Sequence, residues 1–157
     1  MKITAVTIFV FGFVLSLAVC AHSCQTDGIY PDRECTPGSV YEQVTLEDIC
    51  VPGYSARVRH TTSATKRKVY EMYGIPEDRR KQYVLDHLIS LQLGGRDEIN
   101  NLFPQRRDPK PNSRDKDRIE NFLKRSVCKG DMTLKEAQQA IREDWLAAWE
   151  DLVEDEQ

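Results

Sequence analysis

Residues 84 to 102 carry the sequence VLDHLISLQLGGRDEINNL, and the architecture that we predict for the chain starts from them. An Asp-His pair, Asp86 and His87, precedes an apolar segment, a Gly-Gly pair and an Asn-Asn-Leu. Short apolar pieces over residues 83 to 85 and 88 to 93 favour strands on both sides of this pair. Two adjacent glycines permit a tight reversal of the chain. We therefore expect Asp86 and His87 to lie where a strand ends.

Helices are predicted on both sides of this motif. Thr62 or Ser63 is placed to cap a helix over residues 64 to 73. Apolar residues spaced by three and four predict a second helix over residues 113 to 127. The sequence Thr-Leu-Lys-Glu, which begins at Thr133, is a capping box. It opens a last helix whose apolar residues form one stripe, from Leu134 to Leu152.

Two segments are predicted to lack regular structure. Residues 22 to 56, called the lead-in below, are rich in Gly, Pro, Cys and Asp, so we expect short strands at most. The segment after Asn101 contains Pro104, Pro109 and Pro111, which is too many prolines for a regular element. Packed together, these parts predict a disulfide-stapled α+β domain with more helix than sheet.

The amino terminus has the build of a secretory signal peptide. Residues 1 to 21 contain Lys2, an apolar run over residues 3 to 19 and small residues near Ala21. An uncleaved membrane anchor and lipid attachment at Cys20 are the alternatives. Cleavage leaves 136 residues, enough for one compact domain and too few for two. We expect an exported monomer, periplasmic or extracellular, without integral membrane association.

Four cysteines remain after cleavage: Cys24, Cys35, Cys50 and Cys128. An even number in an exported chain favours disulfides, and four cysteines allow three pairings. We prefer Cys24 with Cys35 and Cys50 with Cys128, because the second bridge would join the lead-in to the carboxy-terminal helices. A zinc-thiolate cluster is the alternative, although the chain contains no Cys-x-x-Cys or Cys-x-x-His pair.

The net charge of -3 is unevenly distributed along the chain. Residues 57 to 125 contain 17 Lys and Arg against 10 Asp and Glu, whereas residues 131 to 157 contain 2 against 9. The basic part holds the Asp-His motif, and its clusters are suited to neutralising phosphates. Solvated helix and loop faces are the alternative explanation. The clusters are Lys66-Arg67-Lys68, Arg79-Arg80-Lys81 and Arg106-Arg107.

Several phrases of the chain resemble a known family. They are YVLDHLISLQLGG, NLFPQ, DKDRIENFL, VCKG and AQQAI, and the likeness extends from Cys35 to Trp145. Together they are similar to small exported bacterial and phage proteins built on the HNH core of the His-Me finger nucleases. The resemblance implies a ββα-metal core packed with additional helices, in a domain over residues 57 to 157. It also implies an endonuclease that hydrolyses phosphodiester bonds of DNA, or else RNA.

The resemblance assigns roles by position. His87 matches the general base, Asp86 its adjacent metal ligand and Asn101 the asparagine that orients the imidazole. Asn112 is the candidate for the remaining metal ligand, near the start of a helix. One divalent ion is implied, Mg²⁺ or Mn²⁺ first and Zn²⁺ or Ni²⁺ as alternatives, with no small-molecule cofactor. Competing oxygen ligands are Asp115, Asp117 and Glu120.

The chemistry of a phosphodiester explains these residue types. A catalyst must activate water and neutralise negative charge as it develops, tasks suited to an imidazole and a cation. An alternative for the helix is that Lys116, Asp117 and Glu120 form an ion-paired face. The other function class is a secreted binding module that keeps the HNH-like scaffold without catalysis. Residues expected to contact the nucleic acid are Arg96, Arg106, Arg107 and Lys116.

Overall fold

The structure is a computed structural model that describes residues 23 to 155, with the side chains of residues 23 to 150. The predicted signal peptide and Cys20 lie outside the described residues. Among the described residues, no helix is long and apolar enough to cross a membrane.

The described chain is mainly helical, which confirms an α+β domain with more helix than sheet. Three short 3-10 turns, over Glu77–Gln82, Leu91–Leu93 and Ile99–Asn101, connect the other elements. The α-helices are α1 (Leu46–Ile49), α2 (Tyr54–Val58), α3 (Ser63–Met72), α4 (Ser113–Lys129) and α5 (Leu134–Asp155).

Two strands, β1 (Tyr83–His87) and β2 (Leu102–Arg106), pair antiparallel, with His87 opposite Leu102. The prediction that Asp86 and His87 end a strand is confirmed. The predicted strand over residues 88 to 93 is wrong, because the Ser90 hydroxyl accepts a hydrogen bond from the Gln92 N–H and opens a 3-10 turn instead.

The second strand lies in the segment that its prolines predicted to be irregular. Pro104 stands opposite Leu85 inside β2. A sheet of two strands leaves each strand one unpaired edge, and a proline whose missing N–H faces that edge removes no ladder hydrogen bond. The proline content therefore predicted an irregular segment where β2 forms.

Helix α4 begins at a capping box and packs against α5 and the 3-10 turn Leu91–Leu93. The Asn112 side chain accepts from the Arg114 N–H, and Asp115 accepts from the Asn112 N–H. Ile119 and Leu123 on the inner face are buried in the core. The predicted helix is therefore confirmed, and it extends two residues further, to Lys129.

Helix α5 starts at the predicted capping box, in which Thr133 and Glu136 exchange hydrogen bonds. It is interrupted at Asp144, whose φ of -157° and ψ of 92° are not helical. The Asp144 carboxylate accepts from the N–H groups of Leu146 and Ala147, as an amino-terminal cap does. The predicted apolar stripe is confirmed from Leu134 to Trp149, whose members pack on the core, but the helix backbone beneath it is interrupted at this residue.

Both predicted disulfides are confirmed, Cys24 with Cys35 and Cys50 with Cys128. The lead-in is further held to the motif by backbone pairing of Val40 with Gly95. Disulfides of this kind indicate folding in a non-reducing compartment.

Close packing requires the glycine pair at the turn after the 3-10 segment. Gly94 has a φ of +76°, and a Cβ there would lie 2.4 Å from Val44 Cγ1. A Cβ on Gly95 would lie 1.9 Å from the Ile89 carbonyl oxygen. The loop that carries the site therefore closes only with both glycines in place.

We expect Gly95→Ala to lower the free energy of unfolding by about 3 kcal/mol, because a backbone carbonyl must move to admit the methyl group. Gly130→Ala is the control, since a Cβ at Gly130 meets open space while its φ of +86° remains unfavourable for alanine. That control should cost about 1 kcal/mol. Urea denaturation of both variants tests this, and equal losses would contradict the steric explanation.

Candidate functional site

Four of the predicted site residues, Asp86, His87, Asp117 and Glu120, line a polar cleft of about 110 Å³ at the end of β1. It lies between the strand end, the following loop, α2 and the first turns of α4. Acidic, basic and imidazole groups share its wall, which gives it the groups needed for proton transfer and for binding an anion. The residues that line this polar cleft are Ser55, Arg59, Asp86, His87, Ser90, Leu91, Gln92, Asp117 and Glu120.

The His87 imidazole is fixed at one nitrogen. Its Nε2 atom lies 2.8 Å from Asp97 Oδ1, and the side chain is 4 % exposed. The other nitrogen, Nδ1, has no hydrogen-bond partner among the described residues and is not sealed from solvent. Burial lowers the pKa of His87, although the hydrogen bond with Asp97 opposes the shift. The ring is therefore neutral near pH 7, the state that a general base requires.

Asp97 gathers three donors around the imidazole. Besides His87, the Thr61 hydroxyl and the His60 N–H donate to its carboxylate. Burial raises the pKa of Asp97, but these hydrogen bonds outweigh it and hold the pKa below its usual value. Sequence reasoning missed this residue, because no local pattern distinguishes Asp97 from its neighbour Glu98.

A buried cation lies beneath the polar cleft. Lys116 is fully buried, and its Nζ atom lies 3.1 Å from Asp86 Oδ2, 2.7 Å from the His87 carbonyl oxygen and 2.6 Å from Glu120 Oε1. Burial by itself lowers the pKa of this ammonium, but the charges of Asp86 and Glu120 reverse the effect and raise the pKa above its usual value. Lys116 is therefore charged in the folded protein.

Glu120 completes this cluster at the side of the loop. The Ser90 hydroxyl donates to Glu120 Oε2 at 2.7 Å, so both carboxylate oxygens have donors. Burial raises the pKa of Glu120 against the opposing charge of Lys116. The ion-paired alternative for this helix thus holds for Lys116 and Glu120, which form an i, i+4 pair. The pair is buried, with side chains that are 0 % and 8 % exposed.

Asn101 lies elsewhere than predicted. Its side-chain oxygen accepts from the Ile89 N–H, and its amide donates to the carbonyl groups of Ile89 and Arg96. These bonds close the loop between the strands and do not include the His87 ring. Within the described structure, Asp97 holds the imidazole, and Asn101 acts on it only through the loop.

Of the predicted metal ligands, Asp86 and Glu120 meet around one atom, but that atom is Lys116 Nζ. Asn112 and Asp115 are engaged in the capping box of α4. Asp86 is bonded by Lys116, and its other oxygen accepts from the His87 N–H. Among the described residues, no group of three or more His, Cys, Asp or Glu side chains is arranged to hold a metal ion. The donor set does not fit the divalent ion that the resemblance implies.

Of the alternative metal ligands, Asp115 is part of a helix cap and Glu120 is bonded to Lys116. Asp117 lines the polar cleft, and neither kind of contact engages its carboxylate in the described part of the chain. Loss of water around it and the charge of Asp86 raise its pKa. Two neighbouring carboxylates, Asp86 and Asp117, thus stand opposite the positive charge of Arg59 in the same cleft. Sequence analysis did not single out Arg59.

The predicted phosphate-contacting residues are dispersed. Arg96 pairs with Glu98 and lies over the Tyr41 ring. Arg106 donates to the Pro111 carbonyl, and Arg107 donates to the Tyr83 carbonyl while remaining exposed. The prediction for Lys116 is wrong in the folded state, because a fully buried ammonium has no access to a phosphate.

Comparison with known proteins returns no matching family model, no matching curated protein and no matching solved structure. A functional assignment for this chain therefore rests on its residues and their geometry.

Proposed function

We propose that this chain is an exported endonuclease of the HNH type, which hydrolyses phosphodiester bonds of DNA, or else RNA. The observation that carries the proposal is the neutral His87 imidazole, which is held at Nε2, has no partner on Nδ1 among the described residues and shares one polar cleft with the Arg59 guanidinium. The order of strand, loop, strand and helix around it supports the same proposal. The resemblance to exported HNH proteins agrees with this arrangement.

In this mechanism His87 Nδ1 accepts a proton from a water molecule as the water oxygen attacks phosphorus. The bond from phosphorus to the leaving oxygen breaks, and solvent supplies the proton that the leaving alkoxide takes up. Arg59 binds the nonbridging oxygens and offsets the charge of the pentacovalent transition state. Asp97 keeps the proton of the neutral ring on Nε2, so the lone pair of Nδ1 faces the water.

The implied divalent ion has no step in this mechanism, because the predicted ligands Asp86 and Asn112 are bonded to Lys116 and to the backbone of α4. The basic part of the chain, with 17 Lys and Arg against 10 Asp and Glu over residues 57 to 125, supports a nucleic acid as partner. Two disulfides and the signal-peptide pattern support export to the periplasm or the medium.

The proposal is tested with oxidised protein comprising residues 22 to 157. Supercoiled plasmid, single-stranded DNA and RNA are incubated with Mg²⁺, Mn²⁺, Zn²⁺ or a chelator, and nicked and linear products are separated on gels. We expect nicking of the plasmid. A folded, disulfide-bonded protein that cuts none of these substrates under any condition would overturn the endonuclease.

We expect Asp97→Asn to lower the cleavage rate by about 10²-fold with little change in affinity for DNA. One oxygen of Asp97 accepts from Thr61 and His87 and the carboxylate also accepts from the His60 N–H, so an amide NH₂ group faces a donor in either orientation. Single-turnover kinetics and DNA binding are measured separately. Glu98→Gln is the control, since Glu98 is exposed and pairs with Arg96. Equal rates for both variants would remove Asp97 from the mechanism.

A second candidate is the secreted binding module on an HNH-like scaffold. The ammonium of Lys116 on Asp86 favours it, because the family's metal-ligating carboxylate is already neutralised. In that case nucleic acid binds to the basic surface and is released by salt, but no bond is cut.

A further inference from the structure

The Lys116 ammonium lies beneath the polar cleft, in the position where a bound metal ion would contact the cleft carboxylates. Its ammonium has three N–H groups, and the structure provides three acceptors, Asp86 Oδ2, the His87 carbonyl and Glu120 Oε1. One acceptor is a carbonyl and two are carboxylates, all within 3.1 Å of one atom. Oxygen donors of this kind are those that hard divalent cations prefer.

An incidental surface ion pair would look different. The Lys116 side chain is 0 % exposed, and the side chains of Asp86 and Glu120 are 17 % and 8 % exposed. A lone charge in this place would be costly to bury, and two carboxylates without a cation would be costlier still. The ammonium thus stabilises the carboxylates of the cleft from the inside, where a bound ion would otherwise do so.

We propose that Lys116 is the resident cation of this site, and that the wild-type chain takes no divalent ion onto Asp86 and Glu120. A divalent ion at these oxygens would have to displace an ammonium that is tethered to α4 and sealed from solvent. A second expectation, about cleavage, rests on the proposed endonuclease function: cleavage proceeds in the presence of a chelator. The site then differs from the metal-dependent one that the resemblance implies.

The first test measures binding and needs no enzymatic activity. Mn²⁺ is titrated to equimolar amounts into oxidised wild-type protein, and paramagnetic broadening of the His87 imidazole resonances is followed by NMR. We expect no selective broadening in the wild type. Selective broadening of His87 would overturn the proposal.

Lys116→Met extends this test, because methionine keeps much of the side-chain length and removes the charge. We expect the variant to gain Mn²⁺ binding, seen as selective broadening of His87, whereas Lys129→Met on the exposed end of α4 should behave as the wild type. A folded Lys116→Met protein without this gain would also overturn the proposal. If circular dichroism shows that the variant does not fold, the wild-type titration alone decides.

The second test compares cleavage rates in chelator and in Mg²⁺. We expect equal rates within a factor of two or so, and stimulation by roughly tenfold or more, as metal-ion catalysis supplies, would overturn the resident cation. Absence of cleavage in every condition would instead reject the endonuclease, while the Mn²⁺ titration would still decide what binds at Asp86 and Glu120.

Discussion

His87→Ala is expected to lower the rate of DNA cleavage by about 10²- to 10⁴-fold, the contribution of a well-placed general base. The imidazole is the only group of the polar cleft, as the structure describes it, that is neutral near pH 7 with an accessible nitrogen and a fixed ring. Single-turnover cleavage of plasmid measures the loss. The binding affinity for DNA should change little, since the buried ring contributes little to the outer surface.

His60→Ala is the matched control for this variant. His60 is exposed, and only its backbone N–H takes part in the site, where it donates to Asp97. Alanine keeps that N–H, so the variant should cleave at the wild-type rate. His87→Gln separates catalysis from stability, because its side chain fills more of the buried space than alanine does. Full activity in a folded His87→Gln or His87→Ala protein would exclude His87 as the base.

Loss of the Cys50–Cys128 bridge is expected to lower the free energy of unfolding by about 4.5 kcal/mol, because the bridge closes a long loop in the unfolded chain. The two cysteines are 78 residues apart, whereas Cys24 and Cys35 are 11 apart. Cys50 follows α1 and Cys128 lies in the last turn of α4, so the bridge ties the lead-in to the helix that carries Lys116.

The measurement is urea denaturation of Cys50→Ser with Cys128→Ser under oxidising conditions. The control is Cys24→Ser with Cys35→Ser, for which the shorter loop predicts a loss of about 3 kcal/mol. A larger loss in the control pair would show that local packing around the bridges, rather than the entropy of the unfolded chain, controls their contribution.

Local patterns were sufficient for α3, α4, α5 and the start of the site, but they missed the short helices α1 and α2, which begin in the lead-in that was predicted to lack regular structure. The caps at Thr62, Asn112 and Thr133 each act within three residues, so the sequence around them contains nearly all the information that positions the helix starts. The Asp-His pair at the end of β1 follows from the same kind of local pattern. β2 was missed because a strand can contain Pro104 only if the missing N–H of the proline faces the unpaired edge of the sheet. Which edge is unpaired depends on the partner strand, and the local sequence does not show it.

The sequence determined the types of group available at this site: an imidazole, several carboxylates, and a helix with a lysine four positions after its capping residue, Asn112. It also determined the glycines that let the loop close and the cysteines that form both bridges. Tertiary structure alone decided which of these groups meet. His87 finds Asp97 ten residues away, and Lys116 reaches Asp86 thirty residues away. The first contact depends on how the loop between β1 and β2 folds, and the second on how the first turns of α4 lie beside the end of β1. The second contact converts a lysine predicted to bind phosphate into a buried cation.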